Sequence, residues 1–172
     1  YGMTETGSGI VYEGVRLDGV DVRIADDGEI LVRGPMLLRA YRDGTDPKDA
    51  EGWFATGDLG ALVDGVLTVH GRRGDLIISG GHNVWPSEVE QVLAAHPAVA
   101  EVAVVGRADP EWGHRVVAVV VPSDPARPPT LDELRARVRD HLHPFAAPAE
   151  LELVTALPRT VGGKVRRGSI SG

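Results

Sequence analysis

The chain has 172 residues, of which 42% are apolar, and its formal net charge is −7 at pH 7. This size suits one medium domain or one small domain plus part of another, and the acidic balance excludes a non-specific nucleic-acid binder. The chain has no cysteine, which excludes disulfides and thiolate sites, and no apolar run approaches the roughly 20 residues that span a bilayer.

The first residues, "YGMTETGSG", combine glycines, hydroxyl groups and one carboxylate. Glycine lets a backbone approach a phosphate, threonine hydroxyls can donate to its oxygens, and Glu5 can hold a magnesium ion that bridges them. On local pattern alone, an ordinary polar loop is the favoured interpretation of these residues. Because the chain opens on Tyr1 without an initiator methionine or a signal-like stretch, we expect a fragment that starts inside a functional loop.

Short strands and turns are predicted from about residue 20 to residue 71. "VDVRIA" alternates apolar and polar residues, "EILVRG" follows a turn at "DDG", and Asp64-Gly65 marks a hairpin. This half of the chain therefore reads as an antiparallel sheet or a small barrel. In "FATGDLG", Asp58 lies at a strand edge, where it can accept two hydrogen bonds from a ribose diol or cap a turn.

Helices and strands mix after this point. "SEVEQVLAAH" predicts a helix with Ser87 and Glu90 as a possible capping box, and "TLDELRARVRDHL" predicts a second one with Thr130 and Glu133. "VAEVAVVG", "RVVAVVV" and "ELELV" predict strands, the second apolar enough for a central position. Between the halves, "GRRGDLIISGGHNVWP" contains a domain boundary or an ordinary turn.

The tail "LPRTVGGKVRRG" places Lys164 behind two glycines and ahead of two arginines. It is either a solvated tail with scattered charge or a movable loop that carries a cation into an active site. It is not a phosphate-binding P-loop, because Pro158 takes the place of the first glycine and Val165 that of the hydroxyl residue. The six histidines are scattered, and we expect no histidine metal site.

Four stretches, in this order, resemble motifs of the adenylate-forming superfamily, which comprises acyl-CoA synthetases, adenylation domains and luciferases. They are "YGMTET", "GWFATGDLG", "GRRGDLIISGGHNVWPSEVE" and "LPRTVGGKVRR". The segment "EILVRGPMLLRAY" also matches a G-E-[IL]-x-x-R-G-P element of the superfamily. Together these motifs cover nearly the whole chain, and their shared order is more specific than any one of them.

The resemblance implies an α+β fold made of two parts. Residues 1–73 would be the C-terminal portion, a β-rich barrel-like subdomain, of a large AMP-binding domain. Residues 74–172 would be the small, mobile, mixed α/β domain that follows it. The change of pattern near residue 74 agrees with this division.

The resemblance also implies a chemistry. A carboxylate attacks the α-phosphate of ATP to give an acyl-adenylate and pyrophosphate, and the thiol of coenzyme A then displaces AMP. The implied ligands are ATP or AMP, Mg²⁺, coenzyme A and a small carboxylic acid, in a cytoplasmic enzyme without a membrane span or a nucleic-acid partner.

The resemblance implies a role for individual residues in each of the matching motifs. Glu5 would position magnesium, Thr4 would contact phosphate, and Tyr1 would stack on adenine in a nucleotide-binding loop that includes Gly2. In the second motif and at the start of the third, Asp58 would hold the ribose hydroxyls with help from Arg72. Lys164 would bridge carboxylate and phosphate oxygens during adenylation, and its withdrawal by domain rotation would free the site for a second step in which Gly80 and Gly81 line the pantetheine tunnel.

Two positions depart from the superfamily pattern. The hinge residue is usually Asp or Lys but is Gly74 here, and the residue after the paired glycines is usually Glu but is His82, to which no role is assigned. "VYEGVRLDGV" resembles the o-succinylbenzoate–CoA ligases of menaquinone biosynthesis. Another acyl- or aryl-CoA synthetase, or an adenylation domain that loads a carrier protein, remains the alternative. Four intact site residues argue against a non-catalytic module: Glu5, Asp58, Arg72 and Lys164.

Overall fold

The computed structural model describes residues 1–170 and divides into two compact units, Tyr1–Gly74 and Asp75–Gly172, of which the last two residues lie outside the described range. The division falls one residue after the predicted boundary. Gly74 lies in a short 3₁₀ turn, Arg73–Asp75, and a Cβ atom added there would meet open space. No helix within residues 1–170 is long and apolar enough to cross a membrane.

The first unit is built on one antiparallel sheet of six strands in the order β1-β2-β6-β5-β4-β3. These strands are β1 Val11–Tyr12, β2 Val15–Arg16, β3 Asp21–Ile24, β4 Glu29–Arg33, β5 Phe54–Val63 and β6 Val66–Arg72. The predicted hairpin at Asp64-Gly65 is confirmed, because it joins β5 to β6 with both residues at positive φ. The first unit also contains a 3₁₀ helix, Thr4–Thr6.

Buried and more exposed side chains alternate along β4, and the buried ones form the core of this unit. Ile30 and Val32 are fully buried, whereas the residues between and beside them are more exposed, because successive side chains on a strand point to opposite faces. Phe54 from β5 and Leu67 from β6 pack into the same cluster. Each such side chain contributes roughly 1.5–3 kcal/mol through its burial.

Residues 75–170 of the second unit form five strands and two helices. The sheet has the order β11-β10-β7-β8, and β9 pairs with β10. The elements are β7 Ile77–Ser79, β8 His82–Val84, α1 Pro86–Ala94, β9 Val99–Asp109, β10 Gly113–Pro122, α2 Leu131–His141 and β11 Glu150–Leu153. Two further 3₁₀ turns are Pro144–Ala146 and Arg167–Ser169. The predicted α+β fold class is confirmed by this mixture of sheets and helices.

Strand β10 is central, as its apolar run predicts. Val116, Ala118 and Val120 pack on one face against a cluster that includes residues of both helices. Val117 and Val119 pack on the other face with Leu157 of the tail. Successive residues of β10 are therefore buried on opposite faces of the sheet. Because both faces are buried, every position in this part of the strand is apolar.

The two helices begin differently. Thr130 caps α2, and Glu133 reaches back to the Thr130 backbone, so this predicted capping box is confirmed. The predicted box of Ser87 and Glu90 is wrong. Helix α1 begins at Pro86 after an extended Trp85, since proline is well suited to the first helical position. Glu90 instead accepts from the backbone N–H of Val104 at 2.8 Å.

Candidate functional site

The loop at the start of the first unit folds back on itself. Gly2 forms an isolated bridge with Gly9, and a Cβ atom on Gly2 would lie only 2.3 Å from the carbonyl oxygen of Ser8. The close approach of two backbones therefore requires glycine at this predicted nucleotide-binding position. Whether Gly2 contacts a nucleotide stays a prediction.

Thr6 holds this loop together. Its side chain is buried at 3% exposure, its hydroxyl accepts from the backbone N–H of Met3 at 3.0 Å, and the same hydroxyl donates to Ser8 at 2.7 Å. These bonds brace the 3₁₀ helix that presents Thr4 at the surface and Glu5 half-buried. Sequence reasoning singled out Thr4 and Glu5 but missed the threonine that positions them.

Glu5 is tethered by a segment 33 or more residues away. The Tyr41 hydroxyl donates to Oε1 of Glu5 at 3.2 Å, and the backbone N–H of Leu38 donates to the Glu5 carbonyl oxygen at 2.8 Å. Within residues 1–170, the second carboxylate oxygen, Oε2, has no hydrogen-bond partner. Glu5 therefore offers one held oxygen and one open oxygen, an arrangement that suits a hard cation such as Mg²⁺.

Asp58 is the centre of a second set of contacts in the same unit. Its Oδ2 accepts from the Tyr1 hydroxyl at 2.6 Å, and its Oδ1 lies 3.1 Å from Nε of Arg72. The Asp58 side chain is only 13% exposed, whereas that of Arg72 is 60% exposed. The structure therefore brings together three of the predicted site residues, which are separated by up to 71 positions in the chain.

Thr56 forms hydrogen bonds to both Asp58 and Arg72. It is buried, its hydroxyl donates to the carbonyl oxygen of Ile30 at 2.8 Å, and its own carbonyl oxygen accepts from Arg72 at 2.9 Å. The Thr56 hydroxyl also accepts from the backbone N–H of Asp58 at 3.1 Å. Sequence reasoning missed Thr56, since no local spacing reveals a bond to Ile30.

The Tyr1 hydroxyl remains a proton donor over a wide pH range. Burial raises the pKa of the Tyr1 phenol well above its usual value, and the hydrogen bond to Asp58 raises it further. Tyr1 therefore stays neutral and keeps its bond to the Asp58 carboxylate at neutral pH. This bond fixes one end of the ring, while the stacking of Tyr1 on adenine stays a prediction.

In the second unit, Gly80 and Gly81 form the turn between β7 and β8, both at positive φ. A Cβ atom on Gly80 would lie 2.6 Å from the Trp112 ring, whereas one on Gly81 would meet open space. Glycine is thus required at both positions by conformation and at Gly80 also by the indole. The role of these glycines in a pantetheine tunnel remains untested.

His82 follows this turn and belongs to a stack of rings. Its imidazole lies 3.7 Å from the Phe145 ring, centroid to centroid, and His143 lies 4.9 Å from the same phenyl ring. Phe145 is part of the 3₁₀ turn Pro144–Ala146. The residue that departs from the superfamily pattern therefore has a packing partner, although the sequence assigned it no role.

Lys164 lies in an exposed turn of the tail. The Thr160 N–H donates to the Lys164 carbonyl oxygen at 2.8 Å, and Gly163 N–H donates back to Thr160 at 2.9 Å. Gly163 has a positive φ of 81°, and the Val161 side chain in the same turn is fully exposed. Within residues 1–170 the Lys164 ammonium forms no ion pair, so this side chain is not locked into its own unit.

The predicted site residues thus fall into two sets. Tyr1, Gly2, Thr4, Glu5, Asp58 and Arg72 belong to the first unit, and Gly80, Gly81 and Lys164 belong to the second. No group of three or more His, Asp or Glu side chains that could enclose a metal ion occurs in the described part of the chain.

Comparison with known proteins identifies a matching family and several similar CoA ligases. Residues 88–164 match the family of AMP-binding enzyme C-terminal domains. The chain is 49% identical over 175 residues to a probable 2-succinylbenzoate–CoA ligase of Mycobacterium tuberculosis, a match that covers 99% of this chain and 46% of the relative. It is 43% identical over 159 residues to an indoleacetate–CoA ligase of Aromatoleum aromaticum, covering 89% of this chain and 31% of that relative.

A solved structure resembles the whole chain. The o-succinylbenzoate CoA synthetase (MenE) of Bacillus subtilis, in complex with the acyl-adenylate intermediate OSB-AMP, has a TM-score of 0.89 and 36% identity, covering 100% of this chain and 40% of that one. The same enzyme in complex with ATP and a magnesium ion has a TM-score of 0.88 and 35% identity, with the same coverage. This chain spans less than half the length of these relatives. With the four sequence motifs, these matches show that residues 88–164 form an AMP-binding enzyme C-terminal domain and that the chain is similar along its length to 2-succinylbenzoate–CoA ligases.

Proposed function

We propose that this chain is the C-terminal part of an ATP-dependent carboxylate–CoA ligase that forms an acyl-adenylate and then a thioester. The favoured acid is 2-succinylbenzoate, which would place the reaction in menaquinone biosynthesis. The observation that carries this proposal is the 49% identity with a succinylbenzoate–CoA ligase along 99% of the chain. Residues 1–73 would complete the large domain, and residues 74–172 would form the small mobile one.

Nucleotide binding is assigned to the cluster around Asp58. An ionised carboxylate has about four acceptor positions, and the structure uses one on each oxygen for Tyr1 and Arg72. The remaining positions can accept both hydroxyls of a ribose. Because Asp58 is largely buried and held from two sides, its carboxylate is oriented before the nucleotide arrives.

Glu5 is the residue proposed to hold Mg²⁺. Its open oxygen, Oε2, can ligate the ion while Tyr41 keeps the other oxygen in place. When bound, Mg²⁺ neutralises part of the charge of the triphosphate. Thr4, exposed on the same 3₁₀ helix, would donate its hydroxyl to a phosphate oxygen.

Lys164 is proposed to serve the first step. The substrate carboxylate and the triphosphate are both anionic, so their approach needs a cation where charge develops. The exposed, unpaired ammonium on a glycine-flanked turn can be delivered and withdrawn by rotation of the second unit. Its withdrawal would clear the site for the thiol of coenzyme A, which would approach along Gly80 and Gly81.

Two neighbouring functions remain as alternatives. The similarity to an indoleacetate–CoA ligase makes another aryl or acyl acid the alternative to 2-succinylbenzoate. An adenylation domain that loads a carrier protein would share the first step but not the second. In each case the partner is a small carboxylic acid. We propose a cytoplasmic location, where ATP and coenzyme A are both supplied.

A pyrophosphate-release assay on the full-length protein with a panel of carboxylic acids tests this proposal. We expect release with ATP, Mg²⁺ and 2-succinylbenzoate, and CoA-dependent discharge of AMP in a second stage. Release with a different aryl acid alone would reject the favoured substrate, and AMP discharge only with a carrier protein would reject the CoA ligase. No release with any acid would reject adenylation itself.

A further inference from the structure

The turn that carries Lys164, residues 159–165, is closed by backbone contacts at its base. Arg159 and Val165 form an isolated antiparallel bridge, and the backbone N–H of Arg166 donates to the Pro158 carbonyl oxygen at 2.8 Å. Lys164 comes directly before Val165, so its backbone lies next to the closed base. We call residues 159–165 the lysine turn.

Apolar packing holds the base of the lysine turn on the second unit. Leu157 is buried just before the turn, and half-buried Val165 packs in the same cluster, which includes Val117 and Val119 of β10. At the other end, Val161 and the two glycines that follow it are exposed. Packing therefore fixes the base of the turn but not the backbone of its tip.

The Arg159 guanidinium connects the lysine turn to strand β9. Its Nη1 donates to the Gly163 carbonyl oxygen at 2.7 Å, and its Nη2 donates to Oε2 of Glu101 at 2.6 Å. Because the guanidinium is planar and its donors form a rigid fork, the two acceptors are fixed relative to each other. One side chain therefore holds the residue directly before Lys164 at a set position on the sheet.

The ion pair of Arg159 and Glu101 contributes little to the stability of the fold. The two side chains are 46% and 44% exposed, and solvent screens ion pairs of this kind. The pair is therefore better explained by where it holds the turn than by the free energy that it adds. Its removal should leave the second unit folded.

We infer that Arg159 is a positioning residue for Lys164, with Glu101 as its anchor on β9. The inference rests on the proposed function, in which the Lys164 ammonium serves adenylation. A lysine side chain is long and flexible, and a misplacement of about 1 Å can lower the rate of a reaction by roughly a hundredfold. A turn fastened to the sheet would deliver the ammonium to the same point each time the second unit rotates.

Amide hydrogen exchange of the full-length protein tests the fastening without reference to catalysis. The N–H groups of Thr160 and Gly163 close the lysine turn, and we expect them to exchange roughly tenfold faster in Arg159→Ala. Glu101→Ala should give a smaller increase. Asp21→Asn, which removes the charge of a similarly exposed arginine pair in the first unit, is the control. Wild-type exchange rates in Arg159→Ala would overturn the inference.

Kinetics of the same variants test the action through Lys164. In Arg159→Ala, we expect kcat for pyrophosphate release to fall roughly tenfold to a hundredfold, with the KM for ATP and thioester formation from preformed acyl-adenylate little changed. In a Lys164→Ala background, adding Arg159→Ala should lower pyrophosphate release no further.

Two kinetic results would overturn the inference while leaving the proposed function intact. They are a further loss in the Lys164→Ala background and an equal loss in both half-reactions of Arg159→Ala. Unchanged pyrophosphate release in Lys164→Ala alone would instead reject the role proposed for Lys164, and this inference with it.

Discussion

Asp58 and Arg72 lie directly opposite each other on β5 and β6, and Nε of the arginine is 3.1 Å from Oδ1 of the aspartate. The ion pair is therefore fixed by the register of the hairpin. A shift of one strand by one residue would turn its side chain to the other face of the sheet and break the pair. This register is set by the turn at Asp64-Gly65 together with the irregularity between Leu59 and Gly60, where the pairing shifts by one residue.

Asp58→Asn in the full-length protein should weaken ATP binding by roughly tenfold to a hundredfold, because hydrogen bonds to a charged group are stronger than those to a neutral one. Isothermal titration with ATP measures this change. Asp64→Asn, in the exposed turn of the same hairpin, serves as the matched control. Equal nucleotide affinity in Asp58→Asn and the wild type would remove the ribose role of Asp58.

Tyr1 should make the stability of the protein depend on pH above about 10, the usual pKa of tyrosine. The pKa of its phenol is raised in the folded state, so its contribution is fully present below the unfolded pKa. This contribution is lost as pH rises through the folded pKa, since only the unfolded state readily loses the proton. Urea unfolding from pH 8 to 11 should show a shallower loss in Tyr1→Phe than in the wild type. An identical slope would contradict this assignment.

Gly80→Ala should destabilise the protein more than Gly81→Ala. Both substitutions place alanine at a positive φ, which costs about 1–2 kcal/mol. At Gly80 the new methyl group must also displace the Trp112 ring. Denaturant unfolding followed by tryptophan fluorescence checks this order. The double variant Gly80→Ala, Trp112→Ala should recover part of the difference, and equal losses for the two single variants would show that the indole is not in the way.

Thr130→Ala should lower the free energy of unfolding by about 1 kcal/mol, the usual cost of losing a helix N-cap. The Glu133 carboxylate completes the box, and its hydrogen bonds from the Thr130 backbone and side chain lower its pKa. The Glu133 contribution is therefore present above its unfolded pKa and fades as pH falls through the folded one. Urea unfolding should show that Thr130→Ala loses less unfolding free energy at pH 3 than at pH 7. An equal loss at both pH values would show that the Thr130 cap does not depend on the Glu133 carboxylate.

Local signals in the sequence predicted local structure well. The box of Thr130 and Glu133 and the hairpin turn at Asp64-Gly65 need only neighbouring residues, and both are confirmed. The same reasoning misplaced the start of α1, because Ser87 and Glu90 have the right spacing but Pro86 already occupies the first helical position. A spacing pattern alone does not say which competing residue begins the helix.

The supporting residues of the candidate site could not be predicted in this way. Thr56 bonds Ile30, which lies 26 positions away, and Tyr41 bonds Glu5, which lies 36 positions away. Such contacts depend on how strands are paired, and residue type alone does not reveal them. The motifs singled out Asp58 and Arg72, but only the register of β5 and β6 shows how they meet.

The central claim is that a cation on the tail turn serves adenylation and then withdraws. Separate assays of the two half-reactions in the full-length Lys164→Ala variant test it most directly, with Arg166→Ala, an exposed neighbour in the same tail, as the control. We expect pyrophosphate release to fall at least a hundredfold, consistent with loss of a charge-stabilising group, while thioester formation from preformed acyl-adenylate stays within a few-fold of the wild type. Equal loss in both half-reactions would contradict the account.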